Sequence, residues 1–360
     1  MSAATRSNAR AAASSDSNVA VVTVNYRTPE LTERCVASVA KERKHLPTLR
    51  MMVVDGGSAD DSPEHLAKVL AGRRYAPWIQ FLPLPINGGF GWANNQAILR
   101  LMRDSPQPRY IHLLNPDAEI EPGAIKHLVN YLDGHPRVAA VGSQLVNQDG
   151  SLAGSAFNFP SIRGELARGA GTRALERILK IPPISVQPSE AAEVDWVTGG
   201  SVLLRVDALR EVGLFDEGFF LYNEEVELMW RLRNAGWAIA TEPRSRVTHA
   251  GGSSTGIAPG PTGAHLEPRL PAYLFRSRSR FFALTRGRAG AVAAYAAWLA
   301  GYAIWRFRRL VGVPIGNPVD HQFRDHVAKA FPRGSDLSAS VPSIDSEPTK
   351  APAWMAQGGR

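Results

Sequence analysis

Short apolar runs alternate with amphipathic stretches along the first part of the chain. Residues 19–25 form a β-branched run that is typical of a strand buried on both faces. Thr28 and Pro29 are suited to begin a helix, and apolar residues then recur on one helical face. The alternation repeats and predicts parallel strands joined by helices in an open α/β sheet. The predicted strands cover residues 19–25, 49–54, 78–82 and 109–114, and further helices cover residues 63–71 and 91–103.

The pattern is interrupted over residues 157–193, where prolines flank a short helical stretch at residues 173–180. This is typical of an insertion or a mobile loop. Beyond it we predict a strand at residues 194–205 and helices at residues 206–211 and 220–234. After residue 252 the composition shifts to Gly, Pro and Ser, which marks the end of the main domain.

The net charge of +8 is distributed unevenly, because residues 268–310 contain nine arginines and no acidic residue. This stretch includes an alanine-rich uncharged run at residues 289–305, which is marginal for a membrane-spanning helix. A basic stretch beside an apolar run fits an anionic membrane surface better than a nucleic acid. We therefore expect an interfacial helix with Trp298, Tyr302 and Trp305 near headgroups and Arg306, Arg308 and Arg309 on phosphates. A helix packed on the catalytic domain or on a second subunit is the alternative, which leaves a homodimer open.

Four regions follow from these patterns. We predict a disordered tail at residues 1–18, the main domain at residues 19–255, a basic amphipathic helical segment at residues 268–315, and a second disordered tail at residues 335–360. The first tail lacks the apolar stretch of a secretory signal. The single cysteine, Cys35, is expected to be a small buried hydrophobe. We expect a cytoplasmic protein, peripheral on the inner face of the plasma membrane.

Polar residues and glycines follow each of the first four predicted strands. One Asp-Gly pair after a strand is usually only a turn. Four such ends in register are a functional signal, because open α/β sheets bind ligands beyond the carboxyl ends of their strands. These ends are Asn25, the stretch from Asp55 to Gly57, the stretch from Asn87 to Gly89, and the stretch from Asn115 to Asp117.

Three groups of residues are candidates for the chemistry. Asp117 and Glu119 lie two apart on an extended segment, so both are expected to face one Mg²⁺ or Mn²⁺ ion. A proline turn followed by the acidic first turn of a helix is the alternative. Three acids, at positions 224, 225 and 227, begin a predicted helix, where crowding raises a carboxyl pKa toward that of a general base or serves the helix dipole. His249, at a strand end before glycines, is either structural or a contact for a metal or diphosphate.

This ordered set of motifs resembles the family 2 glycosyltransferases, and within them the rhamnosyltransferase-like enzymes of bacterial polysaccharide synthesis. The resemblance extends over roughly residues 19–254. It implies the GT-A fold, an α/β fold with a single Rossmann-like nucleotide-binding domain around a mostly parallel central sheet, here with a C-terminal helical membrane-associated segment. The matching stretches are residues 21–26, 53–60, 87–95, 113–117 and 212–220, the last continuing to Glu224 and Glu225.

The resemblance also implies roles for individual residues. Asp55 reads the nucleotide base, Asp117 is the metal ligand, Glu225 is the base by position with Glu224 beside it, and His249 touches the metal or diphosphate. The full set of expected donor contacts is Asn25, Asp55, Gly57, Asn87, Gly89, Asn95 and Asn115. The expected acceptor contacts are Gly199 and Gly200, and the expected metal contacts are Asp117, Glu119 and His249.

The chain departs from the family pattern at two positions. Asn115 stands where the family has the first Asp of its Asp-x-Asp metal motif, which weakens the expectation of tight metal binding. Glu225 stands where the family has an Asp, so the choice among Glu224, Glu225 and Glu227 as the base is open.

The sequence as a whole predicts an inverting glycosyltransferase that uses a nucleotide-sugar donor and a divalent cation. dTDP-rhamnose is the first expectation for the donor, with UDP-sugars and GDP-sugars open, and the acceptor is a glycan or a polyprenyl-diphosphate-linked sugar in bacterial surface polysaccharide synthesis. One alternative is a nucleotidyltransferase, although residues 25–28 lack its glycine-rich basic phosphate loop. The other is a catalytically inactive membrane-associated scaffold, consistent with Asn115.

Overall fold

A computed structural model of the chain describes residues 18–249, 268–313 and 319–356. The disordered tail predicted at residues 1–18 therefore lies outside the described residues, except for Asn18. The end of the predicted main domain, residues 250–255, also lies outside them, as do residues 314–315 of the predicted basic segment.

Helices and strands alternate along the first half of the chain, as the sequence predicts. The strands are β1 Val19–Asn25, β2 Arg50–Asp55, β3 Ile79–Pro83, β4 Tyr110–Leu114, β5 Ala118–Ile120, β6 Val138–Val146, β7 Ala156–Phe157, β8 Ser185–Val186, β9 Ala192–Val194, β10 Trp196–Val197, β11 Ser201–Arg205 and β12 Ala238–His249. The helices are α1 Pro29–Glu42, α2 Ser62–Leu70, α3 Phe90–Leu101, α4 Ala124–Gly134, α5 Ile162–Ala170, α6 Arg173–Ile178, α7 Val206–Val212, α8 Glu224–Asn234, α9 Ala272–Leu310, α10 Gln322–Lys329 and α11 Ala353–Ala356.

Nine strands form the central sheet in the order β3-β2-β1-β4-β11-β6-β12-β5, with β9 also paired to β12. The pairs β3-β2, β2-β1, β1-β4 and β6-β12 are parallel, and β11 runs antiparallel between β4 and β6. Strands β5 and β9 are antiparallel to β12, so six of the nine strands run in one direction. The mostly parallel α/β sheet predicted from the sequence is confirmed.

Both faces of this sheet are covered by apolar residues. Along β1, Ala20 and Val22 belong to one buried cluster, and Val19 and Val21 belong to the other. Cys35 lies in the second cluster with none of its surface exposed, and burial raises its pKa to about 12. The cysteine is therefore the small buried hydrophobe that the sequence predicts.

The region predicted as an insertion or mobile loop is more ordered than expected. Helix α5 packs along α9, with Ala167 and Ala170 buried in the contact. Gly169 and Gly301 permit this approach, since a Cβ atom at Gly301 would lie 2.1 Å from the Leu166 carbonyl oxygen. The contact is tertiary, so prolines and broken periodicity gave no sign of it.

The strand predicted over residues 194–205 is divided into three. Strand β9 pairs with β12, β10 pairs with β7 in a small three-stranded sheet, and β11 enters the central sheet. Gly199 and Gly200 separate β10 from β11, which allows the chain to change sheets between them.

Helix α9 consists of two helical segments joined at Gly287, whose φ is 69°. Trp298 is 1% exposed and stacks on His326 of α10, with ring centroids 3.8 Å apart. The expectation that Trp298 lies at lipid headgroups is therefore wrong, because its ring is buried between helices. Arg308 also differs from its expected role, since its Nη1 donates to the Ala170 carbonyl oxygen at 3.0 Å.

The predicted disordered tail at residues 335–360 is packed on the domain over the part that the structure describes. Ile344 is 1% exposed and belongs to the main core, and Trp354 Nε1 donates to the Gly88 carbonyl oxygen at 2.9 Å. Two isolated apolar residues in a polar stretch bury little surface by themselves, and their anchoring depends on pockets formed elsewhere in the fold.

Among the residues that the structure describes, none of the helices combines the length and the apolarity needed to cross a bilayer.

Candidate active site

The central cleft lies where the carboxyl ends of β1, β4 and β12 meet the start of α8. Its volume is about 590 Å³. Asn115, Pro116 and Asp117 follow β4, and His249 ends β12, so neighbouring parts of the sheet deliver these polar groups to one place. Of the four predicted sheet ends, the third and fourth contribute polar residues to the cleft lining, and the second contributes only Gly56.

Asp117 and His249 form a contact pair on one wall of the cleft. His249 Nε2 lies 3.1 Å from Asp117 Oδ1 and 3.2 Å from the Asn115 side-chain nitrogen. The Asp117 side chain is 4% exposed. A carboxylate oxygen and an imidazole nitrogen in contact are suitable ligands for Mn²⁺ or a similar ion.

Among the described residues, no group of three or more His, Cys, Asp or Glu side chains is arranged to hold a metal ion. Mg²⁺-type sites often use one or two protein carboxylates and take their other ligands from substrate phosphates and water. Asp117 and His249 fit such a site.

Glu119 does not join this pair. Its carboxylate is half exposed and lies 3.7 Å from Arg34 Nε. The sequence argument assumed one extended segment, but residues 116–117 form a turn and β5 begins only at Ala118. Side chains two residues apart therefore do not point the same way across the turn. Glu119 does not line the cleft with Asp117, so it is not placed as the expected metal contact.

Glu224 and Glu225 also line the cleft, from the first turn of α8. One carboxylate oxygen of each is buried without a hydrogen-bond partner. Burial raises the pKa of both groups, and repulsion between the two carboxylates adds to the rise at Glu224. Two unsatisfied, proton-retaining carboxyl groups facing a cleft are typical of acid-base chemistry rather than of a simple helix cap.

Only two of the three candidate acids line the cleft. Glu227, which shares a helical face with Glu224, forms hydrogen bonds of 2.8 and 3.0 Å with Arg231 Nε and does not line the cleft. Tyr222 and Asn223 have φ of 67° and 68°, so the chain enters the helix through left-handed residues. The end of the helix points at the cleft, and successive residues of its first turn both reach it.

Several expected substrate contacts do line the cleft. Asn87 and Gly89 lie in the loop before α3, and Asn115 follows β4. Gly89 has φ of 89°, and a Cβ atom there would lie 1.9 Å from the Phe220 carbonyl oxygen, so only glycine fits. Gly199 and Gly200, the expected acceptor contacts, line the cleft with Thr198.

Four of the expected donor contacts are not among the residues that line the cleft. Asn25 and Asp55 are buried, and the Asn25 side-chain amide donates to Asp55 Oδ2 at 2.7 Å. Gly57 lies against Ile86 and Asn87. Asn95 is buried, where its side chain exchanges hydrogen bonds of 2.9 and 3.0 Å with the backbone of Phe215. These residues shape the loops around the cleft.

Sequence reasoning missed the aromatic part of the site. Tyr26, Phe220 and Tyr273 line the cleft, and Phe220 contacts the Tyr273 ring edge-on with centroids 5.4 Å apart. Tyr273 belongs to α9, beyond all the polar strand ends in the sequence, and no local pattern links it to them. Tyr26 and Phe220 fall within motifs that the sequence identified, and their aromatic character was the available signal.

A sheet of this topology, with a carboxylate-histidine pair and a carboxyl pair lining one cleft, defines the class of GT-A nucleotide-sugar transferases. The model of glycosyl transferase family 2 matches residues 19–212. The chain therefore belongs to glycosyl transferase family 2 and is a glycosyltransferase.

Two rhamnosyltransferases are similar in sequence to this chain, in agreement with this assignment. The chain is 34% identical over 254 residues to the N-acetylglucosaminyl-diphospho-decaprenol L-rhamnosyltransferase of Mycobacterium tuberculosis, covering 66% of this chain and 78% of that protein. It is 26% identical over 165 residues to the rhamnosyltransferase WbbL of Escherichia coli, covering 45% and 60% of the two chains.

Two solved structures share the fold. The mannosyltransferase PcManGT of Pyrobaculum calidifontis, in complex with GDP-Man and Mn²⁺, has a TM-score of 0.50 and 14% identity, covering 82% of this chain and 76% of that chain. GalNAc-T7 with UDP, GalNAc and Mn²⁺ has a TM-score of 0.51 and 16% identity, covering 86% and 57%. At these identities the similarity concerns the fold alone.

Proposed function

We propose that this enzyme is an inverting rhamnosyltransferase, which moves rhamnose from dTDP-rhamnose to a sugar carried on a polyprenyl diphosphate in bacterial surface polysaccharide synthesis. The observation that carries the proposal is that the pair Glu224 and Glu225 lines the same cleft as the pair Asp117 and His249. The sugar and the acceptor class rest on the two rhamnosyltransferase relatives.

Inversion needs one carboxylate to take the proton of the acceptor hydroxyl while that oxygen attacks the anomeric carbon. The acceptor oxygen forms the new glycosidic bond, the bond to the nucleoside diphosphate breaks, and the proton remains on the base. Glu225 is the better candidate, because Glu224 is more deeply buried and retains a proton more strongly. In this proposal Glu224 is a neutral neighbour that tunes Glu225.

Asp117 and His249 would hold a divalent cation, either Mg²⁺ or Mn²⁺. A cation bound there supplies positive charge to neutralise the leaving diphosphate. Asn87 and Gly89 then bind the donor on the loop before α3, and Gly199 and Gly200 border the acceptor.

We further propose that the enzyme works at the inner face of the plasma membrane. Of the 13 large hydrophobic residues that are exposed in the described chain, nine fall between Val292 and Phe331. Phe307 is 65% and Leu310 is 79% exposed, and Arg306 and Arg309 beside them are exposed as well. An apolar surface bordered by arginines fits an anionic bilayer surface.

The test is an assay of the purified enzyme with a panel of dTDP-, UDP- and GDP-sugars and a polyprenyl-diphosphate-linked N-acetylglucosamine acceptor. We expect transfer from dTDP-rhamnose that stops on chelation and returns with Mg²⁺ or Mn²⁺. Transfer from another sugar nucleotide alone would replace the donor assignment. Absence of both transfer and donor hydrolysis across the panel would favour the inactive scaffold.

A further inference from the structure

A second cavity of about 580 Å³ adjoins the catalytic cleft. Tyr26, Asn87, Phe220 and Tyr273 line both spaces, so the two are continuous around these residues. The far wall of the second cavity comes from the C-terminal region, through α9, α10, the 3₁₀ helix Gly334–Leu337 and α11. Those elements lie beyond the residues that the family model matches.

The wall contributed by these C-terminal elements is cationic. Arg276 and Arg280 come from α9, Lys329 ends α10, and Arg333 precedes the 3₁₀ helix. The single carboxylate in the lining is Asp336, which accepts the Arg333 backbone N–H at 2.8 Å. Four cations and one carboxylate around one cavity favour an anionic occupant.

Two of these cations already have ionic partners, and two do not. Arg280 is bound to Asp216 at 2.8 Å, and Lys329 lies 2.9 Å from an oxygen of Asp325. Arg276 and Arg333 have no ion pair within the part of the chain that the structure describes, and Arg276 Nε is buried without a hydrogen-bond partner. Burial and the charge of Arg333 lower the pKa of Arg276, against a smaller opposite effect of Asp336, so an anion bound beside Arg276 would stabilise its charged form.

The catalytic cleft has separate groups for the donor diphosphate. Asp117 and His249 line the cleft and not the second cavity, and the same holds for Glu224 and Glu225. The acceptor hydroxyl must reach Glu225, so the rest of the acceptor extends away from the cleft. The aromatic boundary formed by Tyr26, Phe220 and Tyr273 is suited to a sugar ring placed between the two spaces.

Helix α10 connects this cavity to the proposed membrane surface. Lys329 lines the cavity, whereas Phe323 and Val327 of the same helix are exposed. Phe331, two residues after the helix, is also 50% exposed. A lipid chain leaving the cavity beside α10 would therefore meet apolar surface.

From this arrangement we propose that the second cavity binds the diphosphate of the lipid-linked acceptor, with Arg276 and Arg333 as its principal ligands. The assignment deepens the proposed function and rests on it. It makes the C-terminal elements the part of the enzyme that selects a diphosphate-linked acceptor over a free glycan.

The test uses the full-length protein and two soluble probes, farnesyl diphosphate for the second cavity and dTDP with Mn²⁺ for the donor cleft. We expect Arg276→Gln combined with Arg333→Gln to weaken farnesyl diphosphate binding at least about tenfold in calorimetry, with dTDP binding unchanged. The matched control is Arg73→Gln combined with Arg137→Gln, which removes the same charge from two exposed positions outside the cavity. The control should bind both probes like the parent, and thermal melting checks that each variant is folded.

The outcomes separate the two proposals. Loss of dTDP binding with farnesyl diphosphate binding retained would overturn the inference, because the cavity would then serve the donor phosphates. Equal weakening by the control pair would overturn it as well, since general charge would explain the binding. A parent protein that transfers sugar but does not bind farnesyl diphosphate contradicts the cavity assignment alone. Selective loss of farnesyl diphosphate binding in a protein that transfers no sugar supports the cavity and rejects the proposed function.

Discussion

At the scale of single residues, the account depends on two carboxyl groups, each with one buried oxygen that lacks a hydrogen-bond partner. An isolated glutamate has a pKa of about 4.3. Burial of Glu224 and Glu225 raises the pKa of both, so the pair holds a proton at pH values where exposed glutamates have lost theirs. Only the ionised form can accept a proton from the acceptor, and activity should rise as the pH increases through the raised pKa.

Substitution separates the roles of the two acids. Glu225→Gln should lower turnover by a factor of about 100 or more with donor affinity little changed, because a positioned base typically contributes that much. In this proposal Glu224 is already neutral, so Glu224→Gln should leave the acidic limb of the kcat/KM profile close to its position in the parent enzyme. Measured pH-rate profiles of both variants decide the question. Near-normal turnover in Glu225→Gln, with a large loss in Glu224→Gln, would move the base by one residue.

The residue scale also shows where sequence reasoning was limited. Asp117, His249, Glu224 and Glu225 were all identified from local patterns, and the structure brings them to one cleft. Glu119 was misplaced because a turn interrupts the alternation on which the argument depended. Such turns depend on how β5 pairs with β12, which the local sequence does not specify.

At the scale of elements, the contact between α5 and α9 joins the C-terminal region to the catalytic domain. Gly301 lies against the α5 backbone, and a Cβ atom there would lie 2.8 Å from the Ala170 nitrogen as well as close to Leu166. Buried Glu165 of α5 also accepts from Arg278 of α9. Close backbone packing and an ion pair together fix these two helices to each other.

We therefore expect Gly301→Ala to destabilise the protein by about 1–3 kcal/mol, because overpacking of a backbone contact forces a shift of one helix. Gly134→Ala is the matched control, since a Cβ atom at this helix end would have nothing within 4 Å. Urea unfolding measures both variants. If Gly301→Ala unfolds at the same midpoint as the control, the two helices are not held as closely as described.

The elements differ in how far the sequence predicts them. Strand β1 begins and ends at the predicted residues, because a continuous β-branched run has few alternative structures. Helix α5 and the packed residues 335–356 were not predicted, because small residues and isolated aromatics acquire their role only from distant partners. The alanine-rich part of α9 has the same composition whether it lies on a membrane or packs on another helix, and the burial of Ala291, Ala294, Trp298 and Gly301 shows that one face of it is packed.

At the scale of the whole molecule, one long helix contributes residues to the catalytic cleft, the cationic cavity and the exposed apolar surface, in that order along the sequence. Helix α9 contributes Tyr273 to the cleft, Arg276 to the cavity, and Phe307 and Leu310 to the apolar surface. This order corresponds to the sugar, the diphosphate and the lipid of the proposed acceptor.

The membrane proposal predicts that Phe307→Ser combined with Leu310→Ser will reduce flotation with vesicles that contain anionic lipid. The loss of two exposed apolar side chains removes insertion energy without disturbing the buried half of α9. Leu152→Ser combined with Ile184→Ser removes similar exposed residues from the other part of the molecule and should float like the parent. Equal flotation of both double variants would show that this surface does not attach the protein.

The measurement that tests the central claim most directly is the anomeric configuration of the product, determined by NMR spectroscopy after transfer from the preferred sugar nucleotide. A single displacement assisted by one carboxylate base predicts that the new glycosidic bond has the configuration opposite to that of the sugar in the donor. Retention of the donor configuration would contradict the account, because the carboxyl pair of α8 would then have to act in a different reaction.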